Sequence, residues 1–106
     1  MKNTKFAIGQ KKKTKLEGIV KKYKFYSLRL LRHYDLTDIE VKRYQAYKER
    51  FEKCLAKLED FQAKCIVNTF VQNKFYWWEN YYSDAQYYRY RAKALSNFVA
   101  DFYKSH

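Results

Sequence analysis

The sequence predicts an all-α fold, a small bundle of four or five helices that ends in a helix-turn-helix-like unit. Proline is absent and glycine occurs only twice in 106 residues, whereas a β-rich chain of this length usually recruits both residues for its tight turns. Apolar residues recur at three- and four-residue steps along most of the chain, which is the period of an amphipathic helix. The length fits one domain with a single modest core.

Positive charge is concentrated in the N-terminal third of the chain, whose total net charge is +12. Residues 1–33 contain nine Lys and two Arg against Glu17 alone, residues 34–64 contain seven bases and seven acids, and residues 65–106 contain five bases and three acids. Nucleic acid is the most common partner of a small protein this basic, so the distribution favours nucleic-acid binding.

Residues 1–14 are predicted to form a flexible basic tail because they carry five Lys and no acid. The tail is either a phosphate-binding arm, in which Lys11, Lys12 and Lys13 supply sequence-independent affinity, or a solubilising segment with no specific role. Residues 15–106 then form a single helical domain, with scaffold helices over 15–71 and the helix-turn-helix-like end over 72–103.

The first scaffold helix is expected over residues 15–33. Its apolar stripe comprises Leu16, Ile19 or Val20, Tyr23, Tyr26 or Ser27, and Leu30. Lys21 and Lys22 lie away from that stripe and are expected to contact DNA, where they add to the sequence-independent affinity. Such a helix can bind a membrane surface, but a bundle helix with a solvated cationic face is the more usual explanation.

The second helix has the clearest start in the chain, because Thr37-Asp38-Ile39-Glu40 places Thr at the N-cap and Glu at N3 of a capping box. Its apolar spacing fits an intramolecular bundle and a short coiled-coil dimer equally well. The helical rhythm continues to about Val71. Alternatively, the chain bends near Glu59 and Asp60, where Asp60 would cap a new helix, and periodicity does not decide between the two.

After a polar break at residues 72–74, the aromatic run 75–81 is predicted to form a short helix. Ser83 then stands where an N-cap would, before a helix that ends near Tyr103. The predicted buried stripe of this helix is Ala85, Tyr88, Ala92, Leu95, Val99 and Phe102. Without a sharp turn before Ser83, residues 75–103 would instead form one continuous helix.

This order of helices is the layout of a helix-turn-helix unit, whose last helix enters the major groove of DNA. Its predicted polar face supplies the candidate DNA contacts Gln86, Tyr87, Arg89, Tyr90 and Lys93. Gln86 and Arg89 are the best base readers, since Gln pairs with adenine and Arg with guanine. Ser83 and the free amides of the first turn are candidates to hold a phosphate.

The stretch from Leu58 to Leu95 resembles region four of bacterial sigma factors and its small derivatives, the ArpU-type phage regulators and related short mollicute proteins. The resemblance rests on the Trp77-Trp78 segment and on Tyr82-Ser83-x-x-x-Tyr87-Tyr88-Arg89-x-x-x-Lys93-Ala94. It implies a DNA-binding transcription regulator that could also contact RNA polymerase. The chain departs from the family pattern in lacking the usual small residues in both turns.

Other classes of protein have little support. The sequence has no phosphate-binding Gly-rich loop and no catalytic or metal-ligand constellation, so neither an enzyme nor a cofactor is expected. Cys54 and Cys65 are interpreted as buried free thiols, and His33 and His106 as isolated residues. No apolar run approaches the roughly 18 residues of a membrane span, and no secretory signal is recognised, so a cytoplasmic protein is expected.

Two alternatives to duplex DNA binding remain. In the first, the Tyr- and Trp-rich surface docks on another protein, such as polymerase or a ribosomal assembly, because such side chains are frequent interaction hot spots. In the second, exposed tyrosines stack on the unpaired bases of RNA.

Overall fold

The computed structural model describes residues 4–32 and 35–104, and over these residues the chain is all-α, as the sequence predicts. The helices are α1 (Thr4–Leu31), α2 (Asp38–Ala56), α3 (Asp60–Lys64), which continues as a π-helical segment over Cys65–Val71, and α4 (Asp84–Lys104). The molecule measures 47 × 34 × 20 Å. Since a helix with its side chains is about 10–12 Å across, the bundle is two helices deep. None of the described helices has the length and apolarity that crossing a bilayer requires.

Helix α1 begins at Thr4, so the predicted boundary between a flexible tail and a helical domain at residue 15 is wrong. High charge suggested a tail, but Lys is a good helix former. The Nζ atom of Lys12 also donates a 2.6 Å hydrogen bond to Ser96 Oγ in α4. Residues 1–3 of the predicted tail, as well as His33 and His106, lie outside the described residues.

The N-terminus of α2 confirms the predicted capping box. The backbone N–H of Glu40 donates to Thr37 Oγ1 at 3.1 Å, and the backbone N–H of Thr37 donates to Glu40 Oε1 at 3.0 Å. The helix buries Phe51 and Cys54 inside the chain. Its aromatic rings stack on those of α1, with 4.0 Å between the centroids of Tyr23 and Phe51. This packing fits the intramolecular bundle.

The helix is interrupted between α2 and α3, so the chain does bend near Glu59 and Asp60. Helix α3 starts at Asp60, and its N-cap is Glu59, which has an extended backbone and makes no side-chain capping hydrogen bond, so Asp60 is not the cap. Gln62 of α3 is a buried polar residue, and its side-chain oxygen accepts a 3.0 Å hydrogen bond from the amide of Asn97 in α4. That bond satisfies the amide oxygen, whose burial would otherwise be costly.

The core lies where α1, α2 and the π-helical segment meet α4. It includes the predicted stripe residues Leu16, Ile19 and Val20 of α1 and extends through α4 as far as Phe102. The largest fully buried side chains are those of Phe51, Phe98, Leu16, Ile66, Cys54 and Cys65. One face of α4 is thereby committed to the core.

The segment between Val71 and Asp84 contains no helix, so the short helix predicted over residues 75–81 is wrong. Asn73 and Tyr76 have φ values of 51° and 52°, and residues in this left-handed conformation interrupt a right-handed helix. Bends and turns instead bury Trp78 and leave Phe75 exposed. The chain does turn before Ser83, and the alternative of one continuous helix over 75–103 is also wrong.

Candidate nucleic-acid interface

Ser83 and Gln86 form a second capping box at the start of α4. The backbone N–H of Gln86 donates to Ser83 Oγ at 3.3 Å, and the backbone N–H of Ser83 donates to Gln86 Oε1 at 3.1 Å. The Ser-x-x-Gln spacing is the sequence signature of this motif, so Gln86 was recognisable as part of the cap. Its amide oxygen is already engaged, and pairing with an adenine would require the cap to open.

Tyr87 was predicted to face DNA, and this prediction is wrong, because Tyr87 is 3% exposed. Its ring stacks on Trp78 with centroids 4.4 Å apart, and its hydroxyl lies 2.6 Å from Thr69 Oγ1. Burial raises the pKa of the Tyr87 phenol above its ordinary value. Tyr88, which was predicted to be buried, is 54% exposed, and Ala85 and Ala92 are exposed as well. The buried stripe at this end of α4 is therefore one residue away from its predicted position.

Tyr90 also belongs to the interior more than to the surface. Its ring is half-buried and packs against Phe61 and Tyr82, with centroid distances of 5.1 Å and 5.4 Å. The predicted contact between Tyr90 and DNA is therefore not supported, because the ring is already occupied by neighbouring aromatic residues.

Arg89 and Lys93 lie on the outward face of α4, as predicted. Both side chains are exposed, and they are one helical turn apart. Neither forms an ion pair with another residue of the described chain. Of the five side chains predicted for the polar face, these two remain free to meet a phosphate or a base.

The basic segment of α1 lies beside this face. Lys12 reaches Ser96, which is one turn beyond Lys93 on α4. Lys11 next to it is exposed, and Lys13 is half-buried. The structure thus brings Lys12, Lys93 and Arg89, which are far apart in sequence, onto one side of the molecule.

The remaining predicted lysines lie farther along α1. Lys21 and Lys22 are both exposed. Lys21 borders a shallow cavity of about 230 Å³ next to Phe70 and Asn73, at the C-terminal end of the π-helical segment. The structure does not bring Lys21 into contact with the outward face of α4.

The charge of α1 is largely uncompensated. Between Thr4 and Leu31 the helix carries eight Lys and one Arg against the single acid Glu17. Described ion pairs elsewhere join Lys48 to Glu52 at 3.2 Å and Lys64 to Asp60 at 3.3 Å, within α2 and α3. On α1 itself, Arg29 pairs with Asp35 at 3.3 Å, but the eight lysines of the helix still outnumber Glu17 and leave α1 strongly positive.

Arg91 is a cation of α4 to which the sequence pattern assigned no role. Its guanidinium lies 5.2 Å from the ring centroid of Phe70 and 5.5 Å from that of Tyr88, and its buried Nε atom has no hydrogen-bond partner among the described residues. Its spacing could have indicated this packing, because Arg91 is four residues from Tyr87 and therefore lies on the same buried stripe.

Cys54 and Cys65 are buried and are not joined in a disulfide, as predicted. Burial raises the pKa of Cys65 to about 11, which keeps the thiol protonated and unreactive at neutral pH. Within the described part of the chain, no group of three His, Cys, Asp or Glu residues could hold a metal ion.

The resemblance to region four of sigma factors stays a prediction. It depends on a short aromatic helix that the chain lacks and on Tyr87, which is buried. The chain matches no protein-family model, no curated protein and no solved structure.

Proposed function

We propose that this protein binds duplex DNA in the cytoplasm, as a regulator of transcription, through the outward face of α4 and the N-terminal half of α1. The observation that carries the proposal is the contact between Lys12 and Ser96. It places the basic segment of α1 against the helix that presents Arg89 and Lys93, and so joins the two cationic surfaces into one.

Phosphate contacts supply most of the affinity in this proposal. Helix α1 has 28 residues and is about 42 Å long, and its lysines, from Lys5 to Lys24, span about 28 Å of it, a little less than one turn of a DNA duplex. Each phosphate that a lysine neutralises releases condensed counterions, which favours binding at low salt. Lys11, Lys12 and Lys13, in the N-terminal half of α1, contribute in this way without reading the base sequence, and Lys21 and Lys22 extend the positive surface toward the C-terminal end of the helix.

Base reading is expected to be limited. Arg89 is the one predicted base reader whose side chain is free, and Arg pairs with guanine through two hydrogen bonds. Gln86 can contribute only after its cap opens, and Tyr87 cannot contribute. Because residues 72–83 form no helix that could brace α4 on the DNA backbone, we expect weak sequence preference and a strong dependence on salt.

The test compares two double variants with the same net charge. Arg89→Gln/Lys93→Gln removes two exposed charges from the proposed surface, whereas Lys42→Gln/Lys53→Gln removes two exposed charges from α2. Binding to a 20-base-pair duplex is measured by fluorescence anisotropy across a salt series. The first variant should lower the slope of log affinity against log salt by about two, and the second should change it little.

Equal slopes for the two variants would show that net charge alone attracts the duplex and would overturn the proposed surface. Absence of duplex binding by the wild-type chain at low salt would reject duplex DNA as the partner. Circular dichroism of both variants confirms that each is folded before the comparison is made.

A further inference from the structure

A second surface of the molecule contains a groove lined by aromatic rings. It lies between α3 with its π-helical continuation and the loop over residues 74–82, and its volume is about 700 Å³. Phe61, Trp77, Tyr81 and Tyr82 line it. This volume is in the range of sites that bind small organic ligands.

The walls of the groove are held in place by the fold. The indole N–H of Trp77 donates a 2.9 Å hydrogen bond to Thr69 Oγ1. The ring of Phe61 packs 5.4 Å from Trp77 and 4.3 Å from Tyr82, measured between centroids. Tyr81 is 74% exposed at the edge. The groove is therefore a fixed aromatic wall with one ring free to adjust.

Polar groups complete the lining. The amides of Asn68 and Asn80 offer both donors and acceptors, and Lys74 offers a positive charge. Lys64 is already paired with Asp60 at 3.3 Å. Lys74 has no ion pair in the described structure, so the groove carries one uncompensated positive charge.

We infer that this groove holds an unpaired base of a single-stranded nucleic acid. Aromatic rings stack on any base, amides hydrogen-bond to the edge that pairing would otherwise occupy, and a lysine meets the adjoining phosphate. A protein partner would use the rings equally well, but the free amides and the lysine favour a base attached to a phosphate. The bases of a duplex are stacked inside the helix and cannot enter.

This inference is independent of duplex binding by the outward face of α4, since the two surfaces share no residue. The test uses the full chain and three probes: a 12-nucleotide oligodeoxythymidylate, an abasic strand of the same length and phosphate count, and a 12-base-pair duplex. Quenching of tryptophan fluorescence reports stacking on Trp77. The oligodeoxythymidylate should quench and bind, whereas the abasic strand and the duplex should leave the fluorescence unchanged.

Variants locate the site. Tyr81→Ala should weaken binding of the oligodeoxythymidylate at least about fivefold, because one base stack is removed, and Lys74→Gln should weaken it less. The matched controls are Phe75→Ala, which removes an exposed ring outside the groove, and Lys53→Gln, which removes an exposed charge on α2. Neither control should change the affinity.

Equal affinity for the abasic strand, equal quenching by the duplex, or an unchanged affinity of Tyr81→Ala would each overturn the inference. The double variant Arg89→Gln/Lys93→Gln separates the two surfaces, because it should leave the quenching by oligodeoxythymidylate intact even if duplex binding is lost.

Discussion

The two halves of α4 pack against different kinds of partner. The C-terminal half buries Leu95, Phe98, Val99 and Phe102 against other helices, and three of these four residues belong to the predicted stripe. The N-terminal half packs largely against the irregular segment 72–83 and the π-helical segment. There the predicted stripe residues are exposed, and Tyr87 is buried in their place.

The C-terminal half is held by contacts with α2 that recur at the period of the helix. The ring of Phe98 lies 5.0 Å from Phe51, and that of Phe102 lies 5.4 Å from Tyr47, both across the interface with α2. Arg50 of α2 donates hydrogen bonds to the carbonyl oxygen of Phe102 through Nε, at 3.0 Å, and through Nη2. A cation at this end of a helix also interacts favourably with its dipole.

The N-terminal half depends instead on one stacked pair, Trp78 on Tyr87. Trp78 reaches this position only because the chain before α4 is not helical. The comparison shows that periodicity identifies the buried face of a helix where the partner is itself a helix. Where the partner is an irregular segment, the position of a single large ring decides which residues are buried.

Substitution of Tyr87 tests directly whether this ring anchors the N-terminal half of α4. Tyr87→Ala should lower the free energy of unfolding by about 3 kcal/mol, because it empties a buried aromatic site. Tyr88→Ala, one residue away and mostly exposed, should cost less than about 1 kcal/mol. Urea denaturation of both variants, followed by circular dichroism, measures the difference. Equal costs for the two variants would mean that Tyr87 is not the ring that anchors this half.

Features that depend on residues close together in the sequence were predictable, and contacts between residues far apart in the sequence were not. The capping box of Thr37 and Glu40 and the helix start at Ser83 follow from residues within one turn of each other. The contact between Lys12 and Ser96 joins residues 84 positions apart. Because its formation depends on the packing of α1 against α4, no local pattern indicates it.

The same contrast between local patterns and distant contacts applies to the candidate site. Arg89 and Lys93 were correctly placed outside by pattern, since both side chains are exposed on α4. Tyr87 was misplaced because its burial depends on Trp78, nine residues earlier across an irregular turn. The groove near Trp77 was also unpredictable, because its walls come from α3 and from a loop that the sequence suggested was a helix.

Alanine variants of two N-caps test whether α4, which follows an irregular segment, depends on its cap more strongly than α2, which packs on helices. Ser83→Ala should cost about 1 kcal/mol of unfolding free energy, since an N-cap hydrogen bond is lost. Thr37→Ala removes the equivalent bond at α2, whose partners are helical, and should cost about the same. A much larger cost at Ser83 would show that the irregular segment before α4 depends on the cap for its shape.

The dependence of stability on alkaline pH tests the burial of one tyrosine in the contacts of each half of α4. Burial raises the pKa of Tyr47, which packs on Phe102 in the C-terminal half, to about 12, and it also raises the pKa of Tyr87 in the N-terminal half. The folded state keeps these protons while the unfolded state loses them near pH 10. The free energy of unfolding should therefore fall as pH rises from about 10 to 12.

The buried thiol of Cys65, whose pKa is raised to about 11, should start that decline near pH 9. Tyr47→Phe removes one titrating group and should flatten the decline between pH 10 and 12 in urea titrations, with Tyr81→Phe on the exposed loop as the control. If Tyr47→Phe declines as steeply as the wild-type chain, Tyr47 is not protected from solvent. The contact between α2 and the C-terminal half of α4 would then be looser than the one that holds Tyr87.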